Sequence, residues 1–333
     1  MDQVTLIGPN DTQSLKLHIA ATHKNNHLVE RTFYIYAETS ELQKLIESHK
    51  YEDIIFIPES TLLDSSICRN KWIYQQLLKL SVDQLRSSHN LSELFLFTDV
   101  DTIAVKSIKE DLFFRDGLPI YYTKSRHSNP ILCKDFQTAK QENIETQQYL
   151  NWHYAMTWST TQLLGIQKVS ELAAIDACVI WSQKTLKRLK RHIEKTNSLP
   201  WQHAILKLWN LFLCHHQQHF IQESGFREIA FSNEPQEDII ALETLQKKIR
   251  LGFSEWQLYT YFNTYIEKSD KRWLGLMGNA NAPHVAEFNE NALNQQQLSE
   301  ILKAQDSTPF LYFYPSIDQS EKTLFDYLTL NTH

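Results

Sequence analysis

Glycine is scarce in this chain, seven in 333 residues, and none forms a G-x-G-x-x-G or G-x-x-x-x-G-K-[ST] loop. Both loops use glycine to bring backbone N–H groups against phosphate, so their absence disfavours a nicotinamide-type Rossmann enzyme and a P-loop ATPase. Basic residues are outnumbered as well: 33 Lys and Arg against 39 Asp and Glu leave a net charge of −6. A general nucleic-acid binder needs a basic surface to displace counterions, so no nucleic-acid partner is expected. The four cysteines (Cys68, Cys133, Cys178, Cys214) are scattered without a C-x-x-C pair, which fits reduced thiols better than a disulfide scaffold or a zinc site. No stretch reaches the ~20 apolar residues of a membrane span. Met1 to Ile7 enters a strand-like run with no basic region ahead of an apolar one, so no secretory signal is read there. These absences predict a cytoplasmic protein. At 42% hydrophobic and 22% charged residues, the composition is that of an ordinary globular chain, long enough for one large core.

What is present centres on Leu94-Phe95-Leu96-Phe97-Thr98-Asp99-Val100-Asp101-Thr102-Ile103-Ala104-Val105. An apolar, strand-like run ends on two carboxylates one residue apart. On an extended backbone alternate side chains share a face, so Asp99 and Asp101 are predicted to project to the same side. Like charges that close repel unless a cation lies between them. Carboxylate ligation suits a hard divalent ion, Mn²⁺ or Mg²⁺. A solvated turn between two strands is the plainer alternative.

The chain before this motif alternates strand and helix. Val4 to Pro9 reads as a strand closed by Gly8-Pro9-Asn10-Asp11, and Ser14 to Thr22 as a helix. Thr32 to Tyr36 and Asp53 to Pro58 read as strands, with a helix over Ser40 to Ser48 between them. This alternation predicts an α/β fold with a mostly parallel central sheet flanked by helices. In such sheets ligands bind at the carboxyl ends of the strands, where the Asp pair would lie. The helix before it, Asn70 to Leu80, has a wide apolar face; its Trp72, Gln75, Gln76 and Lys79 are less expected on a purely structural element. For Lys79 a phosphate contact competes with the commoner solvated lysine.

Downstream, Asp111 to Gly117 is turn-rich, Pro119 to Tyr122 reads as a strand, and residues 124 to 150 form a polar loop. Trp152 to Gly165 reads as a helix, and Ala173 to Trp181 as one buried strand interrupted by Asp176. Lys184 to Lys195 is a basic amphipathic helix, either a solvated face or a contact for an anionic membrane. His215, His216 and His219 have a His-x-x-x-His spacing but no H-E-x-x-H glutamate, so zinc is not favoured there. Ser254 reads as an N-cap with Glu255 in the first turn. Lys271 to Gly278 and Pro309 to Tyr314 read as strands, and Asn291 to Gln305 as a helix. No repeat or low-complexity linker divides the chain.

Four of these pieces, in order, resemble a family of bacterial surface-polysaccharide glycosyltransferases of GT-A type, formerly a domain of unknown function. They are the strand ending Ile57-Pro58-Glu59, the helix Trp72-Ile73-Tyr74-Gln75-Gln76-Leu77-Leu78-Lys79-Leu80, the strand ending Thr98-Asp99-Val100-Asp101-Thr102, and Phe253-Ser254-Glu255-Trp256-Gln257-Leu258-Tyr259. The resemblance covers residues 4 to about 265. It implies a GT-A-like (Rossmann-related) single domain over 1–333, with a nucleotide-binding half at 1–125 and an acceptor-side half with a helical C-terminal part at 126–333. It implies transfer of a sugar from a nucleotide-sugar donor, a UDP-sugar by preference, to a capsule, lipopolysaccharide or lipid-linked glycan acceptor. Asp101 would be the direct Mn²⁺ or Mg²⁺ ligand, with Asp99 near the ribose or a metal-bound water and His284 a third ligand by loose analogy. Pro9, Asn10, Asp11, Trp72, Gln75, Gln76 and Lys79 would face the donor. Glu255 would take the acceptor's proton if the reaction inverts configuration. The family's histidine is missing from the strand that here reads Ile175-Asp176-Ala177-Cys178, which makes Asp176 a second candidate base. A peripheral contact with the cytoplasmic membrane face would run through Lys184 to Lys195. The competing classes are a metal-dependent nucleotidyltransferase and a non-catalytic glycan- or membrane-binding protein.

Overall fold

The computed structural model describes residues 1–48, 51–68, 71–104, 107–119, 121–125, 159–166, 171–173, 178–211, 254–267, 274–276, 285–288 and 310–313. The first part runs β1 (Asp2–Ile7), α1 (Thr12–Asn25), β2 (Arg31–Tyr36), α2 (Ser40–Ser48), β3 (Ile54–Pro58), α3 (Lys71–Leu80), α4 (Leu85–His89) and β4 (Leu94–Asp99). After it come β5 (Thr102–Ala104), β6 (Phe114–Arg115), β7 (Leu118–Pro119), β8 (Tyr121–Ser125), β9 (Glu171–Ala173) and β10 (Cys178–Ser182). Helices α5 (Gln183–Asn197), α6 (Trp201–Leu211) and α7 (Glu255–Tyr261) follow, and then β11 (Leu274–Leu276), β12 (Val285–Phe288) and β13 (Phe310–Phe313).

The central sheet has the order β10-β4-β1-β2-β3. β1 pairs in parallel with both β2 and β4, β2 in parallel with β3, and β10 antiparallel with β4. The architecture is thus α/β, with a mostly parallel sheet between helices. The chain winds outward from β1 through β2 to β3, then returns to place β4 on the other side of β1. The reversal opens a crevice between the carboxyl ends of β1 and β4, where sheets of this kind accept ligands.

Every residue of β1 is buried although Asp2, Gln3 and Thr5 are polar, so those side chains need hydrogen-bond partners inside. Val4, Leu6, Phe33, Ile35, Phe95 and Phe97 pack with Leu77, Leu80, Trp181, Leu186, Leu189, Trp256 and Leu258 from β10, α3, α5 and α7. Ile7 and Tyr34 pack with Leu15 and Ile19 of α1, Leu42 of α2 and Val100. Under α1 the core is polar. Gln3 donates to Thr98 (3.0 Å), Asn26 to Gln3 (2.9 Å), and His18 Nδ1 lies 2.8 Å from the Tyr34 hydroxyl. Burial holds the His18 imidazole down at about 3, because an imidazolium there would lose its water.

Three expectations change. Ala173 and Cys178 to Trp181, expected on one strand, belong to two: Ala173 closes β9, which pairs antiparallel with β8, and Cys178 opens β10, which pairs with β4. An apolar run carries no mark of which partner each end will choose, and here the two described ends join different sheets. Asp99 and Asp101 do not share one strand, because β4 stops at Asp99 and the chain turns through Val100 and Asp101 into β5. Helix α1 also runs a turn beyond Thr22, to Asn25. Residues 174–177 with Asp176, 277–284 with His284, 126–158, the three histidines at 215, 216 and 219, and the helix expected over 291–305 lie outside the described residues.

Candidate active site

Three acids meet at the crevice. Asp11 follows β1 and stands at the head of α1, Asp99 closes β4, and Asp101 lies in the turn beyond it. β1 and β4 are in register with Leu6 opposite Asp99, so the loop after β1 faces the Asp99 end of β4. Asp11 Oδ2 accepts the Gly8 backbone N–H at 2.6 Å. A Cβ on Gly8 would lie 2.8 Å from the same oxygen, so a side chain there would displace the Asp11 carboxylate.

The electrostatics are crowded. Burial, and after it the Asp99 charge, pushes the Asp101 carboxyl up to about 8. Burial likewise raises Asp11, with Asp99 adding to it against the Gly8 N–H. Asp101 Oδ1 is buried with no hydrogen-bond partner. Such an orphaned acceptor costs free energy unless something fills the position. A hard divalent ion is the natural partner for an unpaired carboxylate beside two others. Among the described residues no group of three His, Cys, Asp or Glu side chains is placed to hold a metal ion by itself. One or two carboxylates completed by phosphate oxygens is the usual arrangement for Mg²⁺ at a phosphate site. The residues fit a divalent ion on those terms.

Lys79 is not the solvated lysine that surface statistics favour. Its residue is 3% exposed, and its ammonium lies 2.8 Å from Asp99 Oδ1 and 2.7 Å from Glu255 Oε1. The Trp256 ring stands 5.0 Å from the nitrogen and the Phe97 ring 5.8 Å. Burial works against this ammonium, but the Asp99 and Glu255 carboxylates outweigh it and hold the pKa above that of a free lysine. Lys79 therefore stays charged.

Glu255 occupies the first turn of α7 beneath Ser254, whose hydroxyl accepts the Gln257 N–H at 3.3 Å. The N-cap expectation is met. Gln76, fully buried, turns to Glu255: with its amide nitrogen toward the carboxylate it donates to both oxygens. Gln76 thus lies behind the site, and Trp72 and Gln75 face a cleft.

That cleft, about 720 Å³, runs along the carboxyl ends of β1 to β3 and is bordered by Gly8, Pro9, Ala37, Thr39, Lys71, Trp72, Tyr74 and Gln75. Its volume is in the range of small-molecule sites. The Trp72 indole Nε1 is buried without a partner at its wall. Glu38 and Glu59 also line it; burial, and then Glu38, lifts the Glu59 carboxyl. Sequence reasoning did not single out Glu38, although it stands two residues past β2, where the strand-end rule would have pointed.

A protein-family model described as a family of unknown function (DUF6492) matches residues 13–295. The chain matches no curated protein sequence. Among solved structures it is similar to the galactosyltransferase LgtC in complex with donor and acceptor sugar analogs, at 12% identity and TM-score 0.33, covering 61% of this chain and 69% of that one. It is similar to mouse xyloside xylosyltransferase 1 in its apo form, at 9% identity and TM-score 0.38, covering 94% and 97%. It is also similar to the apo glycosyltransferase GlyE of Streptococcus pneumoniae TIGR4, at 12% identity and TM-score 0.37, covering 98% of this chain and 60% of that chain. At these identities and scores none of the three carries a substrate or a residue role over to this chain.

Proposed function

The chain belongs to the DUF6492 family of unknown function, and we propose that it is a metal-dependent glycosyltransferase. It would move a sugar from a nucleotide-sugar donor, by preference a UDP-sugar, to a surface-polysaccharide or lipid-linked glycan acceptor. The observation that carries the reading is the cluster Asp11, Asp99 and Asp101 at the β1/β4 reversal, with an orphaned Asp101 oxygen, beside the cleft at the ends of β1 to β3. Sugar transfer in particular rests on the ordered motifs named above.

In this reading residues 1–125 bind the nucleotide. Pro9, Trp72 and Gln75 border its cleft, and the head of α1 after Asn10 and Asp11 favours negative charge nearby. Asp101, with Asp99 beside it, would hold Mn²⁺ or Mg²⁺. When bound, that ion would offset the charge developing on the departing nucleoside diphosphate. Lys79 supplies a second, permanent positive charge at the same place. Asp176 remains the group proposed to act on the acceptor side, with His284 proposed as a further ligand; Glu255, the other candidate base, is buried against Lys79.

Membrane association is a separate part of the proposal. On α5, Arg188 is paired with Glu267 at 2.7 Å and Lys190 with Asp83, which leaves Lys184, Lys187, Arg191 and Lys195 exposed to meet anionic headgroups. Among the described residues no helix is long and apolar enough to cross a membrane.

The test is thermal unfolding with nucleoside diphosphates and Mn²⁺, alone and together. A ligand that binds only the folded chain raises its unfolding temperature by mass action, by roughly 2.7 kcal/mol of stability at a hundredfold excess over Kd. The proposal expects a shift with the pair well above the sum of the separate shifts. No shift with any nucleotide, with or without Mn²⁺, overturns it. Release of pyrophosphate from a nucleoside triphosphate and a sugar phosphate would assign the same acids to a nucleotidyltransferase.

A further inference from the structure

The buried trio behind the acid cluster has a dry end and an open end. At the dry end Glu255 is 1% exposed, with Lys79 at 2.7 Å on one oxygen and the Gln76 amide donating to both. At the open end the Asp99 side chain, 2.8 Å from the same ammonium, is 25% exposed. A group that abstracts a substrate proton must come within hydrogen-bond reach of it. Glu255 has no free face to offer: its oxygens are spent on two neighbours of α3, and Trp256 and Phe97 flank the ammonium.

We infer that Glu255 is a positioning residue that acts through Lys79, holding the ammonium at the rim of the Asp99/Asp101 site where a bound diphosphate would meet it. The inference rests on the nucleotide-sugar reading and deepens it. A lysine ammonium is a flexible point charge on four methylenes. Left to itself beside three carboxylates it would have several partners to choose from. With Glu255 and Gln76 fixed on α7 and α3, one side of the ammonium is committed. On its other side it meets Asp99, whose side chain is 25% exposed. Phosphate oxygens arriving there could take a charge-assisted hydrogen bond from Lys79, and Asp99 would then be free to turn to a divalent ion. The trio would thus exchange one anion for another while its buried half stays in place.

The experiment is isothermal titration calorimetry of UDP and of GDP in the presence of Mn²⁺ on the full chain. The proteins are the parent, Glu255→Gln, Lys79→Met and the double variant, with thermal unfolding run alongside. Glu255→Gln should weaken diphosphate affinity by about tenfold or more, the scale of one charge-assisted contact. The double variant should bind no worse than Lys79→Met alone, because Glu255 has nothing further to contribute once its ammonium is gone. Glu255→Asp, which keeps the charge, should recover part of the loss; it also provides the comparison if Glu255→Gln does not fold. Diphosphate affinity unchanged in Glu255→Gln and Glu255→Asp overturns the inference and leaves Glu255 to the acceptor. Losses that add in the double variant overturn it too. Absence of binding by the parent chain overturns the nucleotide-sugar reading itself.

Discussion

Burial works against charge on His18, Lys79 and Asp101 alike, and their neighbours decide the outcome. His18 is kept neutral because the polar cluster of Gln3, Thr98 and Tyr34 offers it hydrogen bonds but no water. Its imidazole titrates near 6.5 in an unfolded chain and near 3 when folded. Between those values the unfolded state binds the proton that the folded state refuses. Stability is therefore complete above pH 6.5 and is lost as pH falls toward 3, by about 1.4 kcal/mol for each pH unit in that window. Urea unfolding across pH 7 to 4 should show this slope, and His18→Gln should flatten it; an unchanged slope in the variant contradicts the assignment. Lys79 is the opposite case, kept charged because its neighbours are carboxylates. Asp101 is a third case, raised to about 8 by burial and then the Asp99 charge, with one oxygen short of a partner.

At the scale of elements, what was legible in the sequence is what local periodicity encodes. The strands of β1 to β4 and the helices between them follow from runs such as Ile54-Ile55-Phe56-Ile57 and from caps such as Ser254. The placement of Asp99 at a strand end followed from the same alternation. What could not be read is partnership across the chain. Nothing near Lys79 announces that Glu255, on a helix far along the sequence, will come within 2.7 Å of it. Nothing in the sequence shows that Ala173 belongs to a strand beside β8 and Cys178 to Trp181 to one beside β4. Gln76 and Gln75 look alike in sequence, and one helical step sends the first to Glu255 and the second to the cleft. Because α7 holds Glu255 in its first turn, its cap matters to the site as well as to the helix. Ser254→Ala should cost about 1 kcal/mol of stability, the usual value of a lost N-cap. Chemical denaturation measures that directly, and a loss of under a few tenths would show that the cap is not holding α7.

At the scale of the whole molecule, one topological fact organises the rest. β4 returns to the far side of β1, so two strand ends that are distant in sequence open side by side and bring Asp11 to Asp99. Helices α3, α5 and α7 seal one face around Trp181, and α1 and α2 cover the other. Water is thereby confined to the rim, where an acid cluster is costly to leave empty and suited to a cation with a diphosphate. The central claim is that this rim releases a nucleoside diphosphate from a sugar. The most direct measurement is metal-dependent hydrolysis of a panel of nucleotide sugars, following free nucleoside diphosphate, for the parent chain and for Asp101→Ala. Release is expected from at least one donor, requiring Mn²⁺ or Mg²⁺ and lost in a folded Asp101→Ala protein. Release undiminished in Asp101→Ala, or no release from any donor, contradicts it.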